Sequence, residues 1–188
     1  MLALTVVVFG VLLGYICGGR VKGLLHTEIR ALWLPIIAYI MDAGGAQLAE
    51  IWPAFVPYSW ILITAQYIVL FVFIILNLFR FEFCLFGAGT LMNFLVISFN
   101  GFRMPVAENL YLDTQGEMAG YVGALSKNEI FRYTLMTPKT VFPFFGDIIY
   151  VPVFGGFASI GDVLLAVGLA FIIVRGMRSV RTQQRAFE

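Results

Sequence analysis

Little in this chain can carry chemistry on its own. It has one histidine and two cysteines in 188 residues, and Lys, Arg, Asp and Glu together make up 12% of it. His26, Cys17 and Cys84 are too few and too scattered to furnish a zinc or haem ligand set, so no metal and no cofactor is expected. No glycine-rich loop carries the Lys and Ser/Thr that cradle a nucleotide phosphate. The scarcity of charge has a counterpart in 61% hydrophobic residues and a mean hydropathy of +0.92. That balance excludes an ordinary soluble domain and implies a protein whose first partner is the lipid bilayer. The net charge is only +1, and no nucleic-acid partner is expected.

Eight of the twelve basic residues fall in three groups between long apolar runs. Arg20, Lys22 and Arg30 follow the first run, Arg80 the third, and Arg175, Arg178, Arg181 and Arg185 the last. Basic connections stay on the cytoplasmic side, so the pattern predicts an N-terminus outside, five crossings and a C-terminus inside. The expected spans are Met1–Cys17, Ala31–Ala49, Trp60–Phe79, Cys84–Phe99 and Gly156–Val174. Trp52, Tyr58 and Trp60 suit the headgroup level between the second and third spans, and Trp33 marks the inner end of the second. Pro53 and Pro57 keep that outer turn from continuing a helix. The first run has no basic region before it and Arg20 after it, which fits an uncleaved helix better than a secretion signal. Ile16 is also too bulky beside Cys17 for a lipoprotein processing site. Both cysteines then lie at cytoplasmic span ends and read as free thiols.

The expected fold class is therefore all-α: one polytopic membrane domain over 1–188, with an extracytoplasmic cap or re-entrant segment at 100–159 between the fourth and fifth spans. Gly10, Gly14 and Gly18 recur every fourth residue and leave one face of the first helix bare, predicting the tightest helix contact there. Ala166 and Ala170, beside Gly168, offer a matching face on the last span. Within the cap, Ser126 and Glu129 form a capping-box pattern that predicts a short helix over Lys127–Leu135, ended by Thr137-Pro138. Val141–Phe157 is aromatic and apolar but interrupted by Pro143, Gly146, Pro152, Gly155 and Gly156, so it reads as an interfacial or re-entrant cover rather than a sixth span.

Two constellations are candidate binding sites. Asp42, Gln66 and Asn93 fall at comparable depth in spans two, three and four; a carboxyl there is costly and implies either a proton or substrate site or an interhelical hydrogen-bonded knot. Gly146-Asp147 and Gly161-Asp162 flank the broken apolar segment. With Glu108, Asp113 or Glu117 near in sequence they are candidates to bind a divalent cation or orient a lipid headgroup; for chemistry on an external lipid-linked substrate, Arg103, Arg132 or Lys139 are the candidate phosphate contacts. The alternative is that Asp162 sits in the first turn of the last helix and Asp147 shapes a turn. His26 falls on the opposite side from these acids, which leaves no Ser-His-Asp arrangement and no assigned catalytic residue.

Gly14-Tyr15 with Gly18-Gly19-Arg20, the stretch Asn100-Gly101-Phe102-Arg103-Met104-Pro105-Val106, and Gly146-Asp147 followed by Ser159-Ile160-Gly161-Asp162-Val163 together resemble a family of small bacterial membrane proteins known only as a domain of unknown function. The resemblance spans nearly the whole chain. It implies a bacterial cytoplasmic (inner) membrane and no established activity or functional residue.

The leading expectation for function is a membrane accessory or subunit protein that binds a partner protein, a second copy or lipid through its cap and its glycine-faced first helix. A small carrier or channel built on Asp42, Gln66 and Asn93 is the second reading. An enzyme acting on an extracytoplasmic lipid-linked substrate through Asp147, Asp162 and Arg103 is the third. The orientation is open to direct test in a background lacking Cys17 and Cys84. A membrane-impermeant thiol reagent should label a cysteine placed at Gln115 in intact cells and spare one at Gln183; the opposite pattern would invert the topology.

Overall fold

The computed structural model describes residues 2–107, 125, 130–151 and 156–185. Five α-helices are present among them: α1 Leu2–Ile16, α2 Trp33–Ile51, α3 Ser59–Asn77, α4 Phe81–Phe99 and α5 Ile160–Arg185. Each covers most of one expected span. Among the described residues three stretches are long and apolar enough to cross a membrane: Pro53–Asn77, Phe81–Phe99 and Ile160–Arg178. The apolar part of α1, Thr5–Ile16, is shorter, and α2 carries Asp42, Gln47 and Glu50. Large apolar side chains such as Ile36, Tyr39, Ile40, Ile75 and Phe171 point away from the protein interior, an exposure compatible with contact to lipid or to another protein.

The helix ends follow local chemistry. Gly18 takes a left-handed φ of 75°, and the amides of Gly18 and Gly19 donate to the carbonyls of Tyr15 (2.9 Å) and Gly14 (2.8 Å). This paired closure stops α1, so Gly18 terminates the helix instead of extending its bare face. Gly10 and Gly14 do face α5, against Ile173 and Met177. Ala31 has a positive φ of 54°, which delays α2 to Trp33. A 3-10 turn over Pro53–Tyr58 joins α2 to α3.

The fold is not all-α. A four-stranded sheet of order β2-β1-β3-β4 is built from β1 Met104–Val106, β2 Tyr133–Leu135, β3 Asp147–Val151 and β4 Gly156–Ser159. β1 runs parallel to β2 and β3, while β3 and β4 are antiparallel with a register shift between Asp147 and Ile149. Tyr133–Leu135 is thus a strand and not the end of a Lys127–Leu135 helix; pairing with β1 overrides local helix preference. Ser126–Glu129 lies outside the described residues, as do Glu108, Asp113 and Glu117. Of Val141–Phe157, the described part is a 3-10 turn at Pro143–Phe145 followed by β3 and the start of β4. It is broken as expected, but into strands that satisfy backbone polarity by pairing.

α4 packs on α5, α1 on the other side of α5, and α2 on α3, with α3 joining the two halves through α4. The backbones of α4 and α5 approach each other more closely than those of α1 and α5. A Cβ on Gly168 would stand 2.9 Å from the Phe86 amide nitrogen and 3.1 Å from the Glu82 carbonyl, and one on Gly89 would stand 2.9 Å from the Leu165 nitrogen. Backbone cannot move aside, whereas the Met177 side chain that faces Gly14 is flexible. One core cluster, of Ile63, Tyr67, Val96, Ile97 and Met104, lies beneath the sheet. Another, of Leu34, Phe73, Phe83 and Ile172, lies towards the opposite end.

At that opposite end the basic connections meet. The amide of Arg20 donates to the Met177 carbonyl (2.8 Å), Arg175 pairs with Glu82, and buried Asn77 grips the backbone of Arg30 from both sides.

Gly168→Ala should lower the melting temperature in detergent, at an overpacking cost of about 1–3 kcal/mol. Gly44, around which nothing lies within 4 Å, should accept alanine without loss. Equal melting of the two variants would contradict the α4–α5 contact.

Candidate functional site

The end of the helices that carries the sheet holds two polar clusters. Both sit below the helix ends, because α5 begins deep. Asn93 lies about 9 Å in from the end of α4 at Phe99, and Gln66 about 11 Å in from the start of α3 at Ser59, at 1.5 Å per residue. The first turn of α5 lies against Gly89 and Asn93. At this end the sheet packs against α4 and the start of α5.

The first cluster joins the sheet to α2 and α3. Arg132, just before β2, forms an ion pair with Asp42 and donates to the Gln66 side-chain oxygen at 3.2 Å; the Gln66 amide in turn donates to Asp42 at 3.4 Å. Arg132 takes a left-handed φ of 68°, which costs a residue with a Cβ about 1–2 kcal/mol. Burial lowers its guanidinium from the ordinary arginine value. Asp42 is less enclosed than its place in the sequence implied: its side chain is 46% exposed.

The second cluster joins β4, α5 and α4. Ser159 is the last residue of β4 and the cap of α5. Its hydroxyl accepts from the Asp162 amide (2.9 Å), while its own amide donates to the Asp162 carboxylate (2.9 Å), a reciprocal cap. The Asn93 amide donates to the other Asp162 oxygen at 2.8 Å, and the Ser159 hydroxyl lies 2.9 Å from both Asn93 Oδ1 and Asp162 Oδ2. Asn93 therefore belongs with Asp162, not with Asp42 and Gln66, because α4 is packed on α5 while α2 is packed on α3.

Asp147 opens β3, opposite Ser159 in register. It is not a turn residue. Only 5% exposed, it has one carboxyl oxygen, Oδ1, buried without a hydrogen-bond partner among the described residues. Burial, and secondarily the charge of Asp162, raises its pKa to about 7. Arg103 donates to the carbonyls of Ile130 and Tyr133 at 3.4 Å and, among the described residues, makes no ion pair with Asp147 or Asp162. Beside it opens a cavity of about 300 Å³ between Trp60, Phe102, Arg103, Phe131 and Arg132. Gly10, Gly14 and Gly18 lie away from the site. Among the described residues no three His, Cys, Asp or Glu side chains gather as metal ligands.

Ser159 was missed by sequence reasoning as a site residue. Its signal was present in Ser159-x-x-Asp162, the same capping pattern noticed at Ser126. Arg132 appeared only as one of several phosphate contacts, since no local pattern connects it with Asp42.

The arrangement defines a class: a mostly helical protein with helices apolar enough to cross a membrane and a small sheet bound to one end by polar side chains. The chain belongs to DUF5317, a family of unknown function, whose profile matches residues 26–174. The Asn100–Val106, Gly146-Asp147 and Ser159–Val163 motifs fall inside that stretch; the glycines of α1 precede it. No curated protein and no solved structure matches the chain.

The Asp147 carboxyl makes stability depend on pH. Unfolded, it ionises near 3.8; folded, near about 7. Between these values the folded chain keeps a proton the unfolded chain has lost, so stability falls as pH rises, by about 1.4 kcal/mol per unit, and levels off above the folded value. Asp147→Asn should melt like the parent at about pH 4 and above it at about pH 8. A difference that does not change with pH would contradict titration of this group.

Proposed function

We propose that this is a five-span accessory or subunit protein of the bacterial inner membrane, N-terminus outside and C-terminus cytoplasmic, that docks a partner membrane protein through its sheet-bearing cap. One observation carries the reading: the cap is clamped to the helices through Arg132–Asp42–Gln66 and Ser159–Asp162–Asn93, and the clamped surface opens into the cavity lined by Trp60, Phe102 and Arg103. A rigid recess with an aromatic wall and a guanidinium rim suits an inserted anchor side chain, the usual centre of a protein interface. The basic end opposite the cap supports the orientation. The first helix is not part of this surface, because Gly10 and Gly14 are already turned to α5.

The carrier reading has less behind it. It needs Asp42, Gln66 and Asn93 around one path, and Asn93 is bonded to Ser159 and Asp162 instead.

In-cell photo-crosslinking tests the proposal. A photoreactive phenylalanine at Trp60 or Phe102 should give a discrete protein adduct, and one at the outward-facing Tyr39 should give none. Lipid adducts alone from the cap positions would overturn it.

A further inference from the structure

The end opposite the cap contains a second recess, larger than the first, at about 670 Å³. It lies between the start of α4 and the middle of α5, and its polar wall is made by Arg80, Arg175 and Arg178 around Glu82. Glu82 is 2% exposed, and its two oxygens are divided between the arginines: Oε1 to Arg80 Nε at 3.1 Å, Oε2 to Arg175 Nη1 at 3.0 Å. One buried carboxylate thus fixes two guanidinium groups without neutralising the site, since three cations face one anion. Arg178, one turn beyond Arg175, is exposed and has no hydrogen-bond or ion-pair partner among the described residues. The remaining wall is apolar: Phe81, Phe171 and Val174. Phe171 stands one turn before Arg175, towards the middle of α5, and its ring is outward and uncovered, as is that of Phe81.

From this we infer an anionic-phospholipid site, in which Arg175 and Arg178 hold the headgroup phosphate and an acyl chain descends along Phe171, Val174 and Phe81. The chemistry is complementary at both levels. Guanidinium forks match phosphate oxygens, and the wall beneath them is hydrocarbon, which a soluble phosphate would leave bare. The volume falls within the range of ligand pockets. Basic recesses between membrane helices at the end that gathers positive charge are where anionic headgroups are held. Glu82 is a positioning residue: it sets Arg80 and Arg175 in place and touches no lipid. The site is distinct from the cap and stands whether or not the cap docks a protein.

The full chain in nanodiscs of phosphatidylcholine, with and without phosphatidylglycerol, provides the test, read by native mass spectrometry and thermal melting. Phosphatidylglycerol should be retained on the protein and should raise its melting temperature. Arg178→Gln, which breaks no internal contact, should weaken retention about fivefold, the effect of one charge near a membrane surface. Lys139→Gln, an exposed basic change at the cap end, should leave it unchanged. Equal retention of the two lipids, or equal loss in both variants, would overturn the site. So would inorganic phosphate producing the same stabilisation in phosphatidylcholine alone.

Discussion

Strand β4 passes into helix α5 with no connecting loop, and the bonds of Ser159 make that passage possible. A helix that starts among other helices leaves its first amides without partners, in surroundings where water does not satisfy them. Ser159 and Asp162 cap one another, and Asn93 of α4 completes the bonding of the Asp162 carboxylate. The register of the whole protein follows from this junction. It sets α5 about 10 Å below the end of α4, brings Gly89 and Gly168 into the α4–α5 contact, and leaves a gap at the end of the bundle that carries the sheet. The sheet fills that gap, and Asp147 is buried because it stands opposite Ser159 across the β3–β4 ladder.

A sheet lodged among apolar helices must account for its backbone groups, and here it does so largely within itself and with its neighbours. β1 lies between β2 and β3, and the flanking amides of Met104, Ala107 and Met136 donate to Arg132, Asp147 and Val106 carbonyls. Asn100 at the end of α4 does the same for Val141, giving and taking one bond. The unpartnered oxygen of Asp147 stands out against this accounting; a neutral carboxyl at that position lessens the cost of burying it.

The two ends of the molecule divide its charges by kind. At the cap end, Asp42 and Arg132 form a single cross-link whose polar partner is Gln66, so charge is spent on holding the sheet. At the other end arginines outnumber the acid they surround, and Glu82 serves to orient them. The first is a closed network and the second is open. That difference separates a surface that is made rigid from one that still attracts an anion.

The helices could be read from the sequence because the apolarity of a run is a local property, and the five apolar runs coincide with five helices, three of them within stretches long and apolar enough to cross a membrane. The polar residues inside them were equally visible: Asp42, Gln66, Asn93 and Asp162 each stood out against an apolar background. Their partners were not. Asn93 could face either neighbour of α4, and only the packing of α4 on α5 directed it to Asp162. The glycines of α1 formed the plainer pattern, yet the tighter contact belongs to Gly89 and Gly168, whose spacing follows no repeat and whose partners are backbone atoms on another helix. The strands β1 and β2 are three residues each, too short for a period of two to register, and they exist because distant segments supply one another's hydrogen bonds. Sequence alone determined which segments are apolar enough to be helices and where charge accumulates; tertiary structure decided which polar groups meet, because such meetings depend on contacts between residues far apart in the chain.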